Sequence, residues 1–429
     1  MQGKVPNQSA KNSAVAILCA SAMIRGKVTL TDVPEIEEVN RIIELLMSIG
    51  VKITKLGSRK FEIDASGKLD MNNIDRHASE VTRSSVFLWG ALAARVKKFK
   101  LYKSGGCRLG ARTVRPHWYA LEKFGIKITS EDCFYQINNQ PLHSAYVVMY
   151  ESGDTTTENA IMAAVLAPGK STIKMASANY MVQDLCHFLN KAGAKIKGIG
   201  STTLSITGVK KLKPVKNYPI MPDPIAAMTF LAAAITTHSH ITVQNCPLEF
   251  LELELEKLRV MGQKFTLRNQ RKSKNAKFVI ADIEIFPGEL NALADKIYGR
   301  PFPGLNIDNL PLFVPILTQA KGKTLVHDWA YEHRAAYYGE LNKLGANVAL
   351  LDEHRAWIEG PTRFSPAEMD APPALRPAVN VLISMLAAPG KSVLRNIYSI
   401  DRGYENIYEV LNKAGADIRV VDEQKISNI

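Results

Sequence analysis

The chain has little cysteine: five residues in 429 (Cys19, Cys107, Cys133, Cys186 and Cys246), odd in number and scattered, with no C-x-x-C pair. That usage excludes a disulfide framework and a zinc-ribbon site, and it points to a reducing compartment, so a cytoplasmic location is expected. The nine histidines show no metal-ligand spacing either, so neither a metal nor a cofactor is expected. Long apolar runs are also missing. None reaches the ~18 residues a membrane span needs, which removes a membrane partner. The one stretch resembling a leader, 13–24 behind Lys4 and Lys11, recurs in kind downstream and reads as a core helix instead. Aromatics are few (7%) and acids are outnumbered, 41 against 54 Lys and Arg, for a net charge of +13. The cations are dispersed, with no basic tail and no aromatic interleaving. A small anionic substrate therefore explains the charge better than nucleic acid does.

What the chain does have is internal periodicity. An amphipathic segment that ends in glycine and enters a short apolar strand occurs six times, at 42–53, 118–128, 185–196, 253–265, 338–348 and 407–418. The glycines (Gly50, Gly125, Gly193, Gly262, Gly345 and Gly415) stand where a helix end turns left-handed. Upstream of each lies a second helix, over 14–23, 84–94, 159–166, 225–235, 310–319 and 376–387, apolar nearly all round and so expected to be buried. The unit is buried helix, strand, amphipathic helix, strands, which makes the fold class α/β. A chain this long should hold at least two domains. Six units divide three and three, and the break falls in the proline-rich stretch 218–224. The expected domains are 11–219, carrying the Cys107 loop, and 1–10 with 220–429. Their two linkers should lie side by side, as hinge closure over a ligand requires.

Charged and polar residues collect at the starts of the buried helices. Lys11 and Asn12 stand at the first, Arg83 at the second, Glu158 and Asn159 at the third, Asp223 at the fourth, Asp308 at the fifth and Arg376 at the sixth. Helix N-termini aimed at one cleft favour anions there. Capping accounts for Asp223 and Asp308, at about 1 kcal/mol each. It does not account for Lys11, Arg83 or Arg376, because cations at these ends oppose the dipole. An unfavourable local choice that repeats points to function. A second concentration is 103–112, K-S-G-G-C-R-L-G-A-R. Its glycines let backbone approach a ligand, and Lys103, Arg108 and Arg112 favour the thiolate of Cys107. On local sequence alone, a glycine-rich surface turn is an equally good reading.

Longer motifs carry a resemblance. Ala10-Lys11-Asn12, Gly105-Gly106-Cys107 with Gly110-Ala111-Arg112, Thr157-Glu158-Asn159, Met221-Pro222-Asp223, Pro301 to Gly304 before Asp308, and Asp401-Arg402-Gly403-Tyr404-Glu405 are similar, across essentially the whole chain, to motifs of the UDP-N-acetylglucosamine enolpyruvyl transferases within the EPSP synthase/enolpyruvyl transferase family. The resemblance implies a two-domain inverse α/β barrel (α/β prism) of six βαβαββ-type units, three per domain. It implies transfer of the enolpyruvyl group from phosphoenolpyruvate to the 3′-hydroxyl of UDP-N-acetylglucosamine, with phosphate released, as the first committed step of peptidoglycan synthesis. The partners would be these small molecules alone, and the chain a monomer or weak oligomer.

In the same reading Cys107, Asp308, Lys11 and Arg402 are catalytic, and Asn12, Arg83, Arg112, Thr113, Arg334 and Arg376 bind substrate. Lys11, Arg112 and Arg402 would hold phosphoenolpyruvate, Asp308 would serve as base, Asn12 would orient the sugar, and Cys107 would protonate the methylene carbon. The chain departs from the family pattern at Ala374, where an aspartate is usual, and at Thr113-Val114-Arg115-Pro116, which replaces Pro-Val-Asp-Leu on the uracil side. Asn309, His333 and Asp154-Thr155-Thr156 also differ from the usual residues, and the N-terminus is shorter than the family's, so a strand supplied there is expected to be missing or replaced. These departures leave two alternatives open: a different nucleotide acceptor, or a homologue that binds ligand without turnover.

Overall fold

The computed structural model describes residues 1–104 and 113–421. Cys107 and Arg112 lie outside the described residues. The chain is a mixed α/β protein, and among the described residues its strands form six open sheets. Four of the sheets share one plan, in which a parallel edge strand is followed by three antiparallel ones. In the first, Val215–Pro219 runs parallel to Lys27–Thr31, which pairs with Lys60–Asp64 and, beyond it, Lys52–Gly57. The second orders Tyr146–Val148, Lys170–Lys174, Thr203–Thr207 and Lys195–Lys197. Gln2–Pro6, His240–Pro247, Val279–Ile285 and Phe265–Lys272 make the third. Leu290–Asn291, Ala320–His327, Arg355–Gly360 and Asn347–Leu350 make the fourth. The smaller sheets are Lys98–Tyr102 with Phe134–Asn139 and Ile126–Ser130, and Glu368–Asp370 with Val393–Arg395. The barrel expectation is corrected here: among the described residues no sheet closes on itself. Each sheet holds only two to five strands, fewer than the roughly eight of a barrel whose interior is filled by side chains.

Apolar helices fill the space between the sheets. Pro224–Thr236 is buried along its whole length, and Lys11–Ser21 is buried from Ser13 onward. Helices with no polar face have nowhere else to go. The six glycines that end the amphipathic segments all sit at positive φ, between 89° and 95°. Two of the expected buried helices are broken. The one at 310–319 splits into Leu310–Leu312 and Phe313–Leu317. Pro311 and Pro315 remove the amide hydrogens a longer helix needs. The one at 84–94 becomes a 3₁₀ turn, Arg83–Phe87, and a short helix, Leu88–Ala91. There Gly90 N–H donates out of the helix to Asn159 Oδ1 at 2.9 Å. A Cβ at Gly90 would lie 2.5 Å from the Asn159 carbonyl oxygen. Gly90→Ala is therefore expected to cost about 1–3 kcal/mol, read as a lower urea midpoint.

The chain exchanges strands between its halves. Gln2–Pro6 pairs with the second half through His240–Pro247, while Val215–Pro219 pairs back to Lys27–Thr31. The two crossing segments touch: Ser9 and Pro222 form a bridge, Ala10 N–H donates to Met221 O at 2.8 Å, and Asp223 N–H to Gln8 O at 2.9 Å. Asp184, on the helix Tyr180–Lys191, clamps this crossing. It accepts from Tyr218 Oη (2.6 Å), Met221 N (3.3 Å) and Asn275 Nδ2 (3.1 Å). Burial pushes its carboxyl up to about 7, outweighing the hydrogen bonds that favour the ionised form. A folded-state pKa above the unfolded value favours folding at low pH, and that contribution is lost as pH rises toward 7. Stability measured by urea unfolding should therefore fall from pH 4 to pH 7 by more in the native chain than in Asp184→Asn.

Candidate active site

The starts of two buried helices meet at Asp223. Its side chain caps Pro224–Thr236 through Ile225 N (2.8 Å) and Ala226 N (3.3 Å), and its second oxygen accepts from Lys11 N at 3.4 Å. The cap expected at Asp223 is thus present, and it also fixes where Lys11 begins its helix; the cap expected at Asp308 is not, since Asn309 holds the cap position of Leu310–Leu312 without a side-chain hydrogen bond. One residue on, Asn12 Nδ2 donates to Tyr180 Oη at 3.0 Å. Arg376 opens the last apolar helix, Leu375–Ala387, and is buried. Its Nη1 donates to Tyr404 Oη at 2.5 Å, and Tyr404 in turn shares a 2.7 Å hydrogen bond with Thr229. Burial alone would lower the pKa of Arg376, but the field of Tyr404, Asp308, Asp223 and Tyr180 raises it instead. These five groups therefore share one electrostatic neighbourhood built from both halves of the chain. Ala374 caps the same helix without a side-chain hydrogen bond, so the positive end of its dipole is not screened there.

Asp308 hangs on the segment before Leu310–Leu312 with a quarter of its side chain exposed. It accepts from Arg334 Nη1 at 3.3 Å and Tyr331 Oη at 3.4 Å. Arg334 is 1% exposed and is gripped from behind: Asp328 accepts from its Nε (2.6 Å) and Nη2 (2.7 Å), and Ile307 O from Nη2 (2.5 Å). The carboxylate thus faces outward from a rigid cationic mount.

A second arm of the network runs through Glu38. This buried residue accepts from Thr82 Oγ1 (2.6 Å) and Ser84 Oγ (2.9 Å) and lies 3.6 Å from Arg402 Nε. Burial would raise its pKa, but the charges of Lys11 and Arg402 outweigh that and lower it. Next to Ser84, Arg83 Nη2 donates to Thr113 O at 3.3 Å. Below them His117 is kept neutral: burial, helped by the Arg83 charge, lowers its pKa to about 3. Its Nδ1 pairs with Asn159 Nδ2 at 3.1 Å. Farther in, burial drives the Glu158 carboxyl well above the usual range, with the charges of Asp154 and Asp184 adding to the effect.

Of the residues named from sequence, Lys11, Asn12, Asp308, Arg334, Arg376 and Arg402 are brought into this network, and Arg83 with Thr113 adjoin it through Ser84. Cys107 and Arg112 lie outside the described residues. Glu38, Tyr180, Asp328 and Tyr404 were missed as members. Glu38 did leave a signal: it sits four residues before Ile42 on the buried stripe of Glu37–Ser48, a place for an apolar side chain. Among the described residues no cluster of His, Cys, Asp and Glu could hold a metal. Chemically, the arrangement sets several cations around a partly exposed carboxylate, suited to gripping a multiply charged anion beside a proton acceptor.

Comparison with known proteins agrees across the full length. The model of the EPSP synthase (3-phosphoshikimate 1-carboxyvinyltransferase) family matches residues 1–411. A UDP-N-acetylglucosamine 1-carboxyvinyltransferase of Bacteroides fragilis is 34% identical over 427 residues, covering 97% of each chain. The Bacteroides thetaiotaomicron protein of the same name is 33% identical with the same coverage. Among solved structures, the enolpyruvyl transferase NikO from Streptomyces tendae superposes with a TM-score of 0.84 over 98% of this chain and 96% of its own, at 22% identity. An EPSP synthase from Acinetobacter baumannii gives 0.75 over 98% and 97%, at 20% identity. At those identities the structural likeness speaks for the fold.

Proposed function

The chain belongs to the EPSP synthase family and is an enolpyruvyl transferase, and from that premise we propose that it moves the enolpyruvyl group of phosphoenolpyruvate onto the 3′-hydroxyl of UDP-N-acetylglucosamine in peptidoglycan synthesis. The observation that carries the reading is the meeting of Lys11, Asp308, Arg376 and Arg402 in one network drawn from both halves of the chain. The names of relatives at 31–34% identity favour this acceptor over another nucleotide. Lys11 and Arg402, with Arg112, bind the phosphate and carboxylate of the donor; Lys11 acts as a point charge and the guanidinium groups as forks. Asp308 takes the proton of the attacking hydroxyl as its oxygen bonds to C2 of the donor. Cys107 supplies a proton to the methylene carbon, making a methyl group. Loss of one methyl proton and departure of phosphate then restore the double bond on the new ether.

In this account Asn12, Arg83, Thr113, Arg334 and Arg376 position substrate or the groups that touch it. The division into 11–219 and 1–10 with 220–429, the six-unit prism, a cytoplasmic location and a monomer or weak oligomer belong to the same proposal. Strand exchange at the crossing and the plan common to four sheets support the first two. Mass spectrometry of the acceptor tests the reading. After incubation with phosphoenolpyruvate, UDP-N-acetylglucosamine gains an enolpyruvyl group, and other UDP-sugars and plain nucleotides do not. Modification of another acceptor in its place rejects the proposed acceptor.

A further inference from the structure

Away from this network a cavity of about 440 Å³ opens between the halves of the chain, beside their crossing. Four cations, Arg59, Lys60, Lys191 and Lys274, line it against one acid, Asp32. The Lys274 wall is the turn between Phe265–Lys272 and Val279–Ile285, which arches from the second half onto the first. There Lys274 Nζ lies 2.7 Å from Asp32 Oδ1, and Asn275 donates to Asp184 at 3.1 Å. Lys277, on the same turn, adds to the positive field, and its charge reaches His187 on the helix that carries Lys191. Arg59 is tied to Ser9 Oγ at 2.7 Å, and Lys191 Nζ donates to the Asn217 carbonyl at 3.4 Å and lies 5.6 Å from the centre of the Tyr218 ring. Lys60 is half-buried and makes no side-chain hydrogen bond or ion pair among the described residues.

The backbone of this cavity is strained. Asp32, Arg59 and Asn217 hold φ at 54°, 56° and 49°, a region side chains other than glycine rarely adopt. Each costs on the order of 1–3 kcal/mol, and such residues collect where a ligand must be gripped. Arg59 lies in the two-residue turn between Lys52–Gly57 and Lys60–Asp64, and Asn217 lies at a register shift of its strand, so local geometry accounts for them; what points to a ligand is the excess of cations and a lysine that has no acidic partner among the described residues.

We propose that this cavity is a second anion site, built for a pyrophosphoryl group and distinct from the network around Asp308. Two adjacent phosphates match lysines as point charges and Arg59 as a fork, and the lining offers no aromatic face for a base. Arg59 already touches Ser9, two residues before Lys11, and lies 3.6 Å from Glu405, three residues after Arg402. An anion held by Arg59 and Lys274 therefore ties the two halves together beside the residues that hold the substrate. The inference stands on the cavity and is independent of the transfer reaction.

Isothermal titration of the full chain with pyrophosphate, at fixed ionic strength, tests it. The wild type binds, and Lys11→Ala keeps a pyrophosphate site of the same affinity. Lys60→Ala/Lys191→Ala weakens that site about tenfold or more, the scale expected for two charge-assisted contacts. Lys127→Ala/Lys195→Ala, which removes equal charge from exposed strand positions elsewhere, leaves it unchanged. Equal affinity in the Lys60/Lys191 variant, equal weakening in the control pair, loss of all binding in Lys11→Ala, or no binding at millimolar pyrophosphate overturns the proposal.

Discussion

Asp308→Asn lowers kcat by about 10²–10⁴-fold while leaving KM for both substrates nearly unchanged, the signature of a lost proton acceptor. The amide is isosteric and still accepts the hydrogen bonds from Arg334 and Tyr331, at 3.3 and 3.4 Å, so the mount and the neighbouring cations stay in place. Steady-state phosphate release, with the urea midpoint as a control for folding, checks this. A kcat within twofold of the native value would remove Asp308 from the proton transfer. A rise in KM alone would make it a binding group.

The second large effect is on stability. Arg334→Met is expected to cost about 3–5 kcal/mol, because it strands the Asp328 carboxylate in the interior. Burial alone would lower the pKa of Arg334, and the field of Asp328, with Tyr338 and Tyr331, more than reverses this. Tyr338 Oη, at 2.5 Å from Asp328, is left as its remaining hydrogen-bond donor. Removing both charges should behave differently. Arg334→Met/Asp328→Leu regains most of the lost stability, since an apolar pair can replace a buried ion pair at little cost. It does not regain activity, because Asp308 has lost the cation behind it. Urea unfolding and phosphate release on the three proteins separate these outcomes. A double variant as unstable as the single one would show that the pair is not what holds this region.

Much of this was legible in the sequence because apolar periodicity and helix ends are local. The helix Pro224–Thr236 has no polar face, so its burial followed directly, and Gly50 and Gly193 announced the ends of their segments. Lys11, Arg83 and Arg376 stood out because a cation at a helix start needs a reason. The broken helices at 83–91 and 310–317 depended on where Gly90 sends its amide hydrogen and on two prolines, and only the first of these is a tertiary effect. The pairing of Gln2–Pro6 with a strand more than two hundred residues away has no local signature. Nor has Asp328, whose run Val326-His327-Asp328 looks like any strand end until Arg334 folds back onto it. Glu38 was readable in principle as a charge on an apolar stripe.

The most direct measurement of the central claim is phosphate release by the purified full chain from phosphoenolpyruvate, with and without UDP-N-acetylglucosamine. The account predicts release that requires the acceptor and falls steeply in Lys11→Ala and Arg402→Ala. No release from folded native protein, or release indifferent to both substitutions, would contradict it.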